Sequence, residues 1–518
     1  MQVYSFVAAG FEGHLIHVEV FIRRGIPAVD IVGLPDGAVR EARDRIRVAI
    51  LQSGFQFPSG RILINMAPAD IRKEGSSFDL SLALAVLLAS GQISTTACSS
   101  TGQTNEHWLV LGELELSGRL RPVKGTLSAV SAALKKGIIN IMLPAANMGE
   151  AFSAGAREVR GLNHLSELKE KSSFVTSAPD PAIINTTTFK EYQRTPPDIR
   201  DLKGQLGLKR ALEVAAAGGH HMLMFGPPGS GKTLACTMLE GLLPEMEDER
   251  SFEVSRIWSQ AGRLGQGGGI LRRPPFRSPH HSATLEGLIG GGVHLTPGEI
   301  SLAHGGVLFL DETPEFQGRI LQSLREPLEN GRVTLVRAGK SYWFPSDFQL
   351  IMAANPCPCG NMGRGNSVCI CTELEISRYW KKIGGALMDR IDIRMPVEAV
   401  APEVLLTESE ESSEDLRLKI DDAVERQKHR YKEIGIYRNR SLSGAMTQEF
   451  CPLSKDLEEY FTLMARKISF SSRACHSVLK VARTIADLAG HENIQKEDLE
   501  EAGQYRRYGD SSLFWNEG

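Results

Sequence analysis

The segment Gly226-Pro-Pro-Gly-Ser-Gly-Lys-Thr233 matches the phosphate-binding P-loop pattern, and the pattern occurs once in the 518 residues. Four apolar residues, Met222–Phe225, come directly before it, and apolar residues at helical spacing follow it. A strand, a glycine loop and a helix in this order place backbone N–H groups around a phosphate chain. We therefore predict a nucleotide site in which Lys232 neutralises the β- and γ-phosphates and Thr233 ligates Mg²⁺. A chance glycine turn is the competing interpretation.

Two further apolar runs end in polar residues that suit ATP hydrolysis. The predicted strand Val307–Leu310 ends at Asp311, which suits the Mg²⁺ shell, and Glu312, which suits polarising the attacking water. Residues 350–354 predict a third strand, with the amide of Asn355 placed to orient that water. Carboxyl ends of parallel strands meet at one edge of a sheet, so these groups are expected beside the P-loop. The alternatives are helix caps and an Asn-Pro turn.

Composition limits the choice of partners and compartment. The chain has 59 Lys+Arg and 62 Asp+Glu residues, so bulk charge does not favour DNA and any contact needs a local patch. The longest apolar stretch, residues 80–89, is too short to span a bilayer, and the N-terminus lacks the basic part of a signal peptide. We expect a cytoplasmic protein with no membrane partner, whose eight cysteines are thiols or metal ligands.

The sequence divides into four segments. Residues 1–170 alternate strand-like and helix-like stretches, which indicates an α/β or α+β domain. Residues 171–199 are predicted to be a linker, and residues 200–398 form a glycine-rich α/β block. Residues 399–518 begin with an acidic connection and continue as helices. The last predicted helices lie near 454–466, 471–489 and 495–507.

Local patterns predict individual elements of the first segment. Apolar residues alternate from Ile16 to Ile22, as in a strand. Asp36 is predicted to cap a helix that runs towards Gly54, and residues 78–90 are predicted to form a buried helix.

Residues 254–285 form a basic stretch, with five arginines, two histidines and no Asp or Glu. Such a patch suits phosphate contacts that carry no base information. Its glycines favour a loop or hairpin insert, and Arg272, Arg273 and Arg277 are the predicted DNA contacts. Packing against the carboxylates of a neighbouring subunit is the alternative.

A second hairpin is predicted over residues 333–343. Arg337 and Lys340 are expected near its tip as further DNA contacts, and Tyr342 and Trp343 as rings that stack on bases. Subunit packing is again the alternative.

Cys357, Cys359, Cys369 and Cys371 lie within 15 residues of one another. Four thiolates complete the tetrahedral ligand set of Zn²⁺. Each pair has one intervening residue, not the two of common zinc knuckles, so each pair needs a turn. We predict a structural Zn²⁺ site, with reduced cysteines in a flexible insert as the alternative.

Longer strings connect these motifs to a known family. The P-loop, residues 305–313 and Ala353-Ala-Asn-Pro356 are similar to an AAA+ ATPase module. Seven more specific strings resemble the magnesium-chelatase-like AAA+ ATPases of the ComM/YifB type: Arg277-Ser-Pro-His-His281, Gly298-Glu-Ile-Ser-Leu-Ala-His304, Asn355-Pro-Cys-Pro-Cys-Gly360, Met388-Asp-Arg-Ile-Asp392, Ile31-Val-Gly-Leu-Pro-Asp36, Ala67-Pro-Ala-Asp-Ile-Arg-Lys-Glu-Gly-Ser-Ser-Phe-Asp79 and Val481-Ala-Arg-Thr-Ile-Ala-Asp-Leu488. The resemblance covers nearly the whole chain.

The resemblance implies a ring, usually a hexamer, with active sites between subunits. It implies that Arg390 is the arginine finger that reaches the neighbour's γ-phosphate and that Arg473 is the lid arginine that senses the nucleotide. Gly204 and Gln205 match the turn near the adenine. From the residues alone, Arg390 could pair with Asp389 or Asp392, and Arg473 could be a surface charge. The chain departs from the family at Gly384-Gly385, before the finger helix, where serine-glycine-proline is frequent.

The first segment resembles the LonC-like domain, which is related to the proteolytic domain of Lon. Such a protease needs a serine nucleophile and a lysine base. Ser77 falls near the serine position, but Leu127 stands at the lysine position and Lys124 lies three residues early. We therefore predict a non-proteolytic domain.

The predicted fold is α/β: a LonC-like domain, an AAA+ P-loop parallel sheet sandwiched by helices, and a small all-helical lid. The resemblance implies an ATP- and Mg²⁺-dependent motor on branched or single-stranded DNA, with branch migration or helicase activity in recombination or natural transformation. The alternatives are a metal-chelatase motor with partner subunits, a protease, and an assembly scaffold built on an inactive Lon-like domain.

Overall fold

The computed structural model describes residues 1–93, 107–169, 195–264, 268–292, 295–337, 339–364, 367–400, 403–404 and 411–508. Most of the predicted linker and part of the acidic connection lie outside these residues.

The N-terminal part is built on a seven-stranded sheet in the order β3-β4-β2-β1-β5-β8-β9, and β6 and β7 form a separate hairpin. The strands are β1 (Gln2–Ala9), β2 (Glu12–Arg23), β3 (Ala28–Val32), β4 (Arg61–Ala67), β5 (His107–Val110), β6 (Glu113–Leu114), β7 (Leu120–Arg121), β8 (Asn140–Pro144) and β9 (Glu158–Leu162). The α-helices are Gly37–Gln52, Asp79–Ala89, Thr126–Lys135 and Met148–Ser153. The predicted strand, the helix capped by Asp36 and the buried helix are confirmed.

A buried ion pair joins the first two of these helices. The carboxylate of Asp79 is fully buried and accepts hydrogen bonds from the Arg45 guanidinium at 2.7 and 2.9 Å. The backbone N–H of Leu114 donates to the same carboxylate at 3.1 Å. Burial raises the pKa of Asp79, and Arg45 opposes that shift. Asp79 therefore contributes to the packing of this part.

The middle part of the chain is built on a five-stranded, all-parallel sheet in the order β11-β14-β17-β10-β18. The strands of this region are β10 (Met222–Phe225), β11 (Phe276–Arg277), β12 (Gly290–Gly291), β13 (Thr296–Pro297), β14 (Val307–Leu310), β15 (Arg332–Arg337), β16 (Lys340–Pro345), β17 (Gln349–Ala354) and β18 (Ile393–Pro396). Its α-helices are Leu206–Gly218, Lys232–Leu242, Asp248–Ala261, Leu285–Ile289, Glu299–Leu302, Gly318–Ser323, Arg325–Asn330, Glu373–Lys381 and Gly385–Met388.

Helices cover both faces of this sheet. Every residue of β10, β14 and β17 is buried. Along β10, Met222 and Met224 enter one apolar cluster, whereas Leu223 and Phe225 enter another. Alternate residues of a strand face opposite sides, so the continuous apolar runs seen in the sequence are those of a parallel sheet sandwiched by helices.

The two basic inserts differ in structure. The hairpin over residues 333–343 is confirmed as the antiparallel pair of β15 and β16. The stretch 254–285 is not one loop or hairpin, and that prediction is wrong in two places. Its first residues continue helix Asp248–Ala261, because apolar side chains there pack into the core, and Phe276–Arg277 form the edge strand β11 beside β14.

The N-terminal part packs against both of these inserts through Phe11. The backbone N–H of Phe11 donates to the Trp343 carbonyl at 2.8 Å, and the ring centroid of Phe11 lies 5.4 Å from that of Trp343. The Arg256 guanidinium stacks 4.1 Å from the centre of the same ring and donates to the Phe11 carbonyl at 3.0 Å. Trp343 was predicted to stack on bases, but its ring packs instead on Phe11, because the N-terminal part covers it.

The C-terminal part is helical, as predicted. Its α-helices are Ser413–Tyr431, Gly444–Phe450, Lys455–Ile468, Ser472–Ala489 and Lys496–Arg506. Helix Ser472–Ala489 shares an apolar cluster with helix Leu206–Gly218, and the Thr484 hydroxyl lies 2.7 Å from Nε2 of His220. The helical part is therefore packed directly on the middle part of the chain. Among the described helices, none combines the length and hydropathy needed to cross a bilayer.

We predict that Arg45→Ala lowers the free energy of unfolding by about 3 kcal/mol, because it leaves the buried Asp79 carboxylate without its partner. The matched control is Arg43→Ala, since Arg43 is exposed and its ion pair with Asp44 is worth about 0.5 kcal/mol or less. The measurement is equilibrium urea unfolding of both variants. Equal unfolding midpoints for the two variants would show that the buried pair does not stabilise this part.

Candidate ATPase site

The P-loop joins β10 to helix Lys232–Leu242. Gly229 and Gly231 have φ angles of +80° and +91°, a region that glycine enters without strain. The helix begins at Lys232, so the free N–H groups of its first turn face the loop. Together the loop and the helix N-terminus form a cradle for anionic phosphate.

The Lys232 side chain lies inside this cradle. Its Nζ donates to the carbonyls of Gly226 at 2.7 Å and Pro227 at 2.8 Å, and lies 3.5 Å from Oδ1 of Asn355. Burial lowers the pKa of Lys232, and the charges of Asp311 and Glu312 oppose that shift. The predicted P-loop lysine and the Asn355 amide are therefore adjacent.

Thr233 and Asp311 meet across the end of the sheet. The Thr233 hydroxyl donates to the Asp311 carboxylate at 2.8 Å. β17 lies between β10 and β14 in the sheet, so Asn355, at the end of β17, lies between the end of β10 and the end of β14. A hydroxyl and a carboxylate so close are oxygen ligands of the kind Mg²⁺ prefers, and the pair fits a bound Mg²⁺. Bound there, Mg²⁺ would neutralise charge on the β- and γ-phosphates.

Glu312 adopts a backbone conformation that is uncommon for a residue with a side chain. Its φ is +48°, and its exposed carboxylate lies 3.6 Å from Nδ1 of His281. Such conformations cluster at functional sites, because the surrounding structure must hold them. The charge pattern of the sequence placed His281 in the basic stretch, and its contact with Glu312 was not predicted. His281 comes shortly after β11, and β11 pairs with β14. This position would have indicated that His281 lies near Glu312.

Gly204 and Gln205 lie beside the P-loop. The side-chain amide of Gln205 donates to the carbonyl of Glu398 at 2.7 Å and lies 3.5 Å from the carbonyl of Ser230. Gly204 has a φ of +68°, and its Cα faces the side chain of Val404. This turn therefore connects the P-loop to the segment after β18.

Arg390 and Arg473 line one cavity of about 550 Å³, together with Arg440, His476 and Lys480. None of residues 226–233 lines it. Arg390 is paired with Glu329, not with either neighbouring aspartate, and it also donates to the carbonyl of Ala386. Burial and the positive charge of Arg473 lower the pKa of Arg390. The structure brings the two arginines together, but not into this chain's own phosphate cradle.

The three predicted DNA contacts of the first insert have different surroundings. Arg272 forms an exposed ion pair with Asp248. Arg273 is exposed and has no ion-pair partner among the described residues. Arg277 is largely buried and donates to both oxygens of Glu299 at 2.6 and 2.9 Å. Only the first two present their guanidinium groups to solvent.

The cations of the β15–β16 hairpin contact the N-terminal part. Arg337 lies 3.3 Å from Glu74, and Lys340 donates to the Asp70 carbonyl at 3.0 Å. DNA would have to displace these contacts to reach either side chain.

The four predicted metal-ligating cysteines form one cluster. Their Sγ atoms all lie within 4.8 Å of one another. The sulfur–sulfur distances are 3.4 Å for Cys357–Cys359, 3.6 Å for Cys357–Cys369 and 3.7 Å for Cys359–Cys369. All four are free cysteines.

A parallel sheet whose strand ends bring together a P-loop lysine, a threonine–carboxylate pair, a glutamate and an asparagine defines a P-loop ATPase of the AAA+ class. Family models agree along the chain. "Magnesium chelatase, subunit ChlI" matches residues 198–405, "Subunit ChlI of Mg-chelatase" matches 18–147, and "Magnesium chelatase, subunit ChlI C-terminal" matches 410–506.

Known proteins align over nearly the full length. The uncharacterized protein YifB of Salmonella typhimurium is 38% identical over 97% of this chain and 96% of its own length. The competence protein ComM of Haemophilus influenzae is 36% identical over 97% of both chains. The magnesium-chelatase 38 kDa subunit of Rhodobacter capsulatus is 28% identical over 30% of this chain and 48% of its own length. The chain belongs to the magnesium-chelatase-like AAA+ ATPases of the ComM/YifB type.

We predict that Glu312→Gln binds ATP as the wild type does but hydrolyses it at least about a hundredfold more slowly, because only the group that polarises water is lost. The matched control is Glu315→Gln, the same change at an exposed position three residues on, which should leave kcat unchanged. Nucleotide affinity and kcat are measured for both variants. Comparable kcat for Glu312→Gln and the wild type would remove Glu312 from the catalytic role.

Proposed function

We propose that this protein is a cytoplasmic, ring-forming ATPase that moves branched or single-stranded DNA, with branch migration as its main activity. One observation carries the ring: the finger and lid arginines share a cavity that contains no residue of this chain's P-loop. A phosphate cradle on one surface and the arginines on another are complementary between two copies of the chain. Head-to-tail contacts of this kind form a ring when the rotation between neighbouring copies closes, and we propose that it does here.

In such a ring, each active site takes Lys232, Thr233, Asp311 and Glu312 from one subunit and Arg390 and Arg473 from the next. Glu329 holds Arg390 in the single chain, and the more negative γ-phosphate of the neighbour would compete for it. The finger would then stabilise the charge that develops during phosphoryl transfer. We propose the hexamer of the family as the ring size.

The DNA part of the proposal is supported by Arg272 and Arg273, which are exposed beside a chain segment with no acidic residue. An exposed ion pair such as Arg272–Asp248 is weak, so a DNA phosphate can replace the aspartate. The relative named competence protein ComM and the family resemblance favour DNA as the substrate. Arg337 and Lys340 are proposed to contact DNA after their side chains are released from the N-terminal part.

The N-terminal part, residues 1–170, has a non-proteolytic role in this proposed motor. Leu127 is fully buried at the position expected for a catalytic lysine. The methylenes of Lys124 lie against Gly262, where a Cβ would be 2.7 Å from Cε of the lysine. This part is therefore proposed as a platform that supports the inserts, and residues 399–518 as the lid. The proposed cofactors are ATP, Mg²⁺ and a structural Zn²⁺ at the cysteine cluster.

A metal-chelatase motor is the second candidate, because the matching family models carry that name. ATPase stimulation separates the two. The purified protein is given a synthetic four-way DNA junction, and ATP turnover and strand products are followed together. We expect faster turnover and duplex products that need ATP, and neither with Lys232→Ala. ATP turnover that no DNA substrate stimulates, but that a porphyrin and a partner subunit do stimulate, would contradict the DNA assignment.

A mixing experiment tests the shared site. We predict that Arg390→Ala assembles and binds ATP but hydrolyses it poorly, and that Lys232→Ala does not bind it. Mixed rings contain sites with an intact P-loop and an intact finger, so a mixture should recover part of the activity that both variants lack. No recovery at any ratio, with subunit exchange demonstrated, would contradict a site built from two subunits.

A salt titration tests the DNA contacts. Replacing Arg272 and Arg273 together by Ala should weaken DNA binding for every sequence and reduce the slope of log affinity against log salt by about 2. Ring assembly and basal ATPase should survive, since neither residue touches the phosphate cradle. The matched control is Arg319→Ala, which removes an exposed arginine elsewhere on the core. A variant that keeps the wild-type slope but no longer assembles would identify these arginines as subunit contacts.

A further inference from the structure

We propose that Cys357, Cys359, Cys369 and Cys371 bind one Zn²⁺ ion that fixes the segment after Asn355 against the P-loop, and that this ion sets the affinity of the site for nucleotide. Zinc binding does not depend on the proposed ATPase and DNA activities. The effect on nucleotide affinity rests on the ATPase site described above.

The spacing of the sulfur atoms is that of a single tetrahedral ion. A Zn–S bond of about 2.3 Å gives a regular tetrahedron with sulfur–sulfur edges of about 3.8 Å. Three pairs of the cluster lie 3.4, 3.6 and 3.7 Å apart, and no pair exceeds 4.8 Å. Sulfur atoms that ligate a cluster of several iron atoms lie farther apart, because the inorganic core stands between them. The geometry therefore favours one metal ion.

The ligand chemistry favours zinc. Four thiolates form a soft set of the kind that Zn²⁺ takes, and a mononuclear iron is another ion that such a set accepts. Thiolates this close repel one another unless a cation lies between them, so the arrangement is stable at neutral pH with a metal bound. Cys357 is buried and the other three cysteines are half-buried, so an ion can enter from solvent.

A turn after the first cysteine explains how a pair with one intervening residue can share an ion. The backbone N–H of Gly360 donates to the carbonyl of Cys357 at 3.0 Å, and Gly360 has a φ of +73°. This turn reverses the chain, so both sulfur atoms of the first pair point to the same place. The structure thus supplies the turn that the spacing requires.

The cluster is packed against the nucleotide site. Cys357 follows Asn355 by two residues, and Trp380 donates from Nε1 to the carbonyl of Pro356 at 3.1 Å. Gly360 lies so close to the P-loop that a Cβ would be 2.8 Å from Cγ of Pro228. A metal ion that holds Gly360 in place therefore also restrains Pro228 of the P-loop and the end of β17, where Asn355 lies.

The other end of the cluster leads towards the finger. Cys371 precedes Thr372, whose hydroxyl accepts from the N–H of Glu375 and caps helix Glu373–Lys381. The short helix before Arg390 follows directly. One ion thus connects the P-loop at Pro228 and the end of β17 at Asn355 to the segment that carries Arg390, the proposed arginine finger.

The experiment uses the full-length protein purified without added metal. Metal content is measured by mass spectrometry, and the affinity for a fluorescent ATP analogue is measured before and after zinc is removed with a chelator. We expect one zinc per chain and binding at least about fivefold weaker after removal, restored by Zn²⁺ but not by Mg²⁺. Cys359→Ser should lose the zinc, whereas Cys475→Ser, which changes a free thiol outside the cluster, should keep it.

A second measurement keeps the test valid if the cysteine variant does not fold. The metal-free wild-type protein is loaded with Co²⁺, which should give thiolate-to-metal charge-transfer absorption and a tetrahedral d–d spectrum. No zinc and no cobalt spectrum would overturn the site, and iron in place of zinc would overturn the choice of metal. Unchanged nucleotide affinity after zinc removal would overturn the coupling alone. Failure of the zinc-loaded protein to bind ATP would instead contradict the proposed function.

Discussion

The hydrogen bond from the Thr233 hydroxyl to the Asp311 carboxylate spans the ends of two parallel strands, and the chemistry of this protein depends on that alignment. β17 lies between those strands, so Asn355 emerges between the P-loop and the acidic pair. An all-parallel sheet aligns the carboxyl ends of its strands at one edge. The buried apolar runs of β10, β14 and β17 therefore bring the groups predicted to bind nucleotide and to polarise water within reach of one another.

Much of the fold was predictable, because apolar runs and caps are local. The strand boundaries of β10 and β14 and the cap at Asp36 follow from short patterns, and the structure confirms them. Long-range contacts were not predictable. The burial of Arg277 against Glu299, the packing of Trp343 on Phe11 and the contact of His281 with Glu312 each join distant segments. The sequence of a basic stretch shows which residues are positively charged. It does not show which of them are paired with a carboxylate from another segment.

In the proposed ring, each chain supplies both halves of an ATPase site, on different surfaces. The phosphate cradle lies at the strand ends, whereas Arg390 and Arg473 line a separate cavity beneath the helical part. In this proposal, the chain completes its site by contact with a second copy, and the same contact repeats around the ring. The cysteine cluster lies between the two halves along the sequence, and the N-terminal part holds the β15–β16 hairpin. The proposed assembly, zinc binding and DNA contacts therefore involve connected elements.

The most direct test of this account is ATP turnover per subunit as a function of protein concentration, with the assembly state followed by sedimentation in the same buffer. If Arg390 acts on the neighbour's nucleotide, turnover per subunit is negligible for the monomer and rises steeply as rings form, while ATP binding to the monomer persists. Turnover per subunit that stays constant from monomer to ring would contradict the shared site, because it would show that one chain contains everything hydrolysis needs.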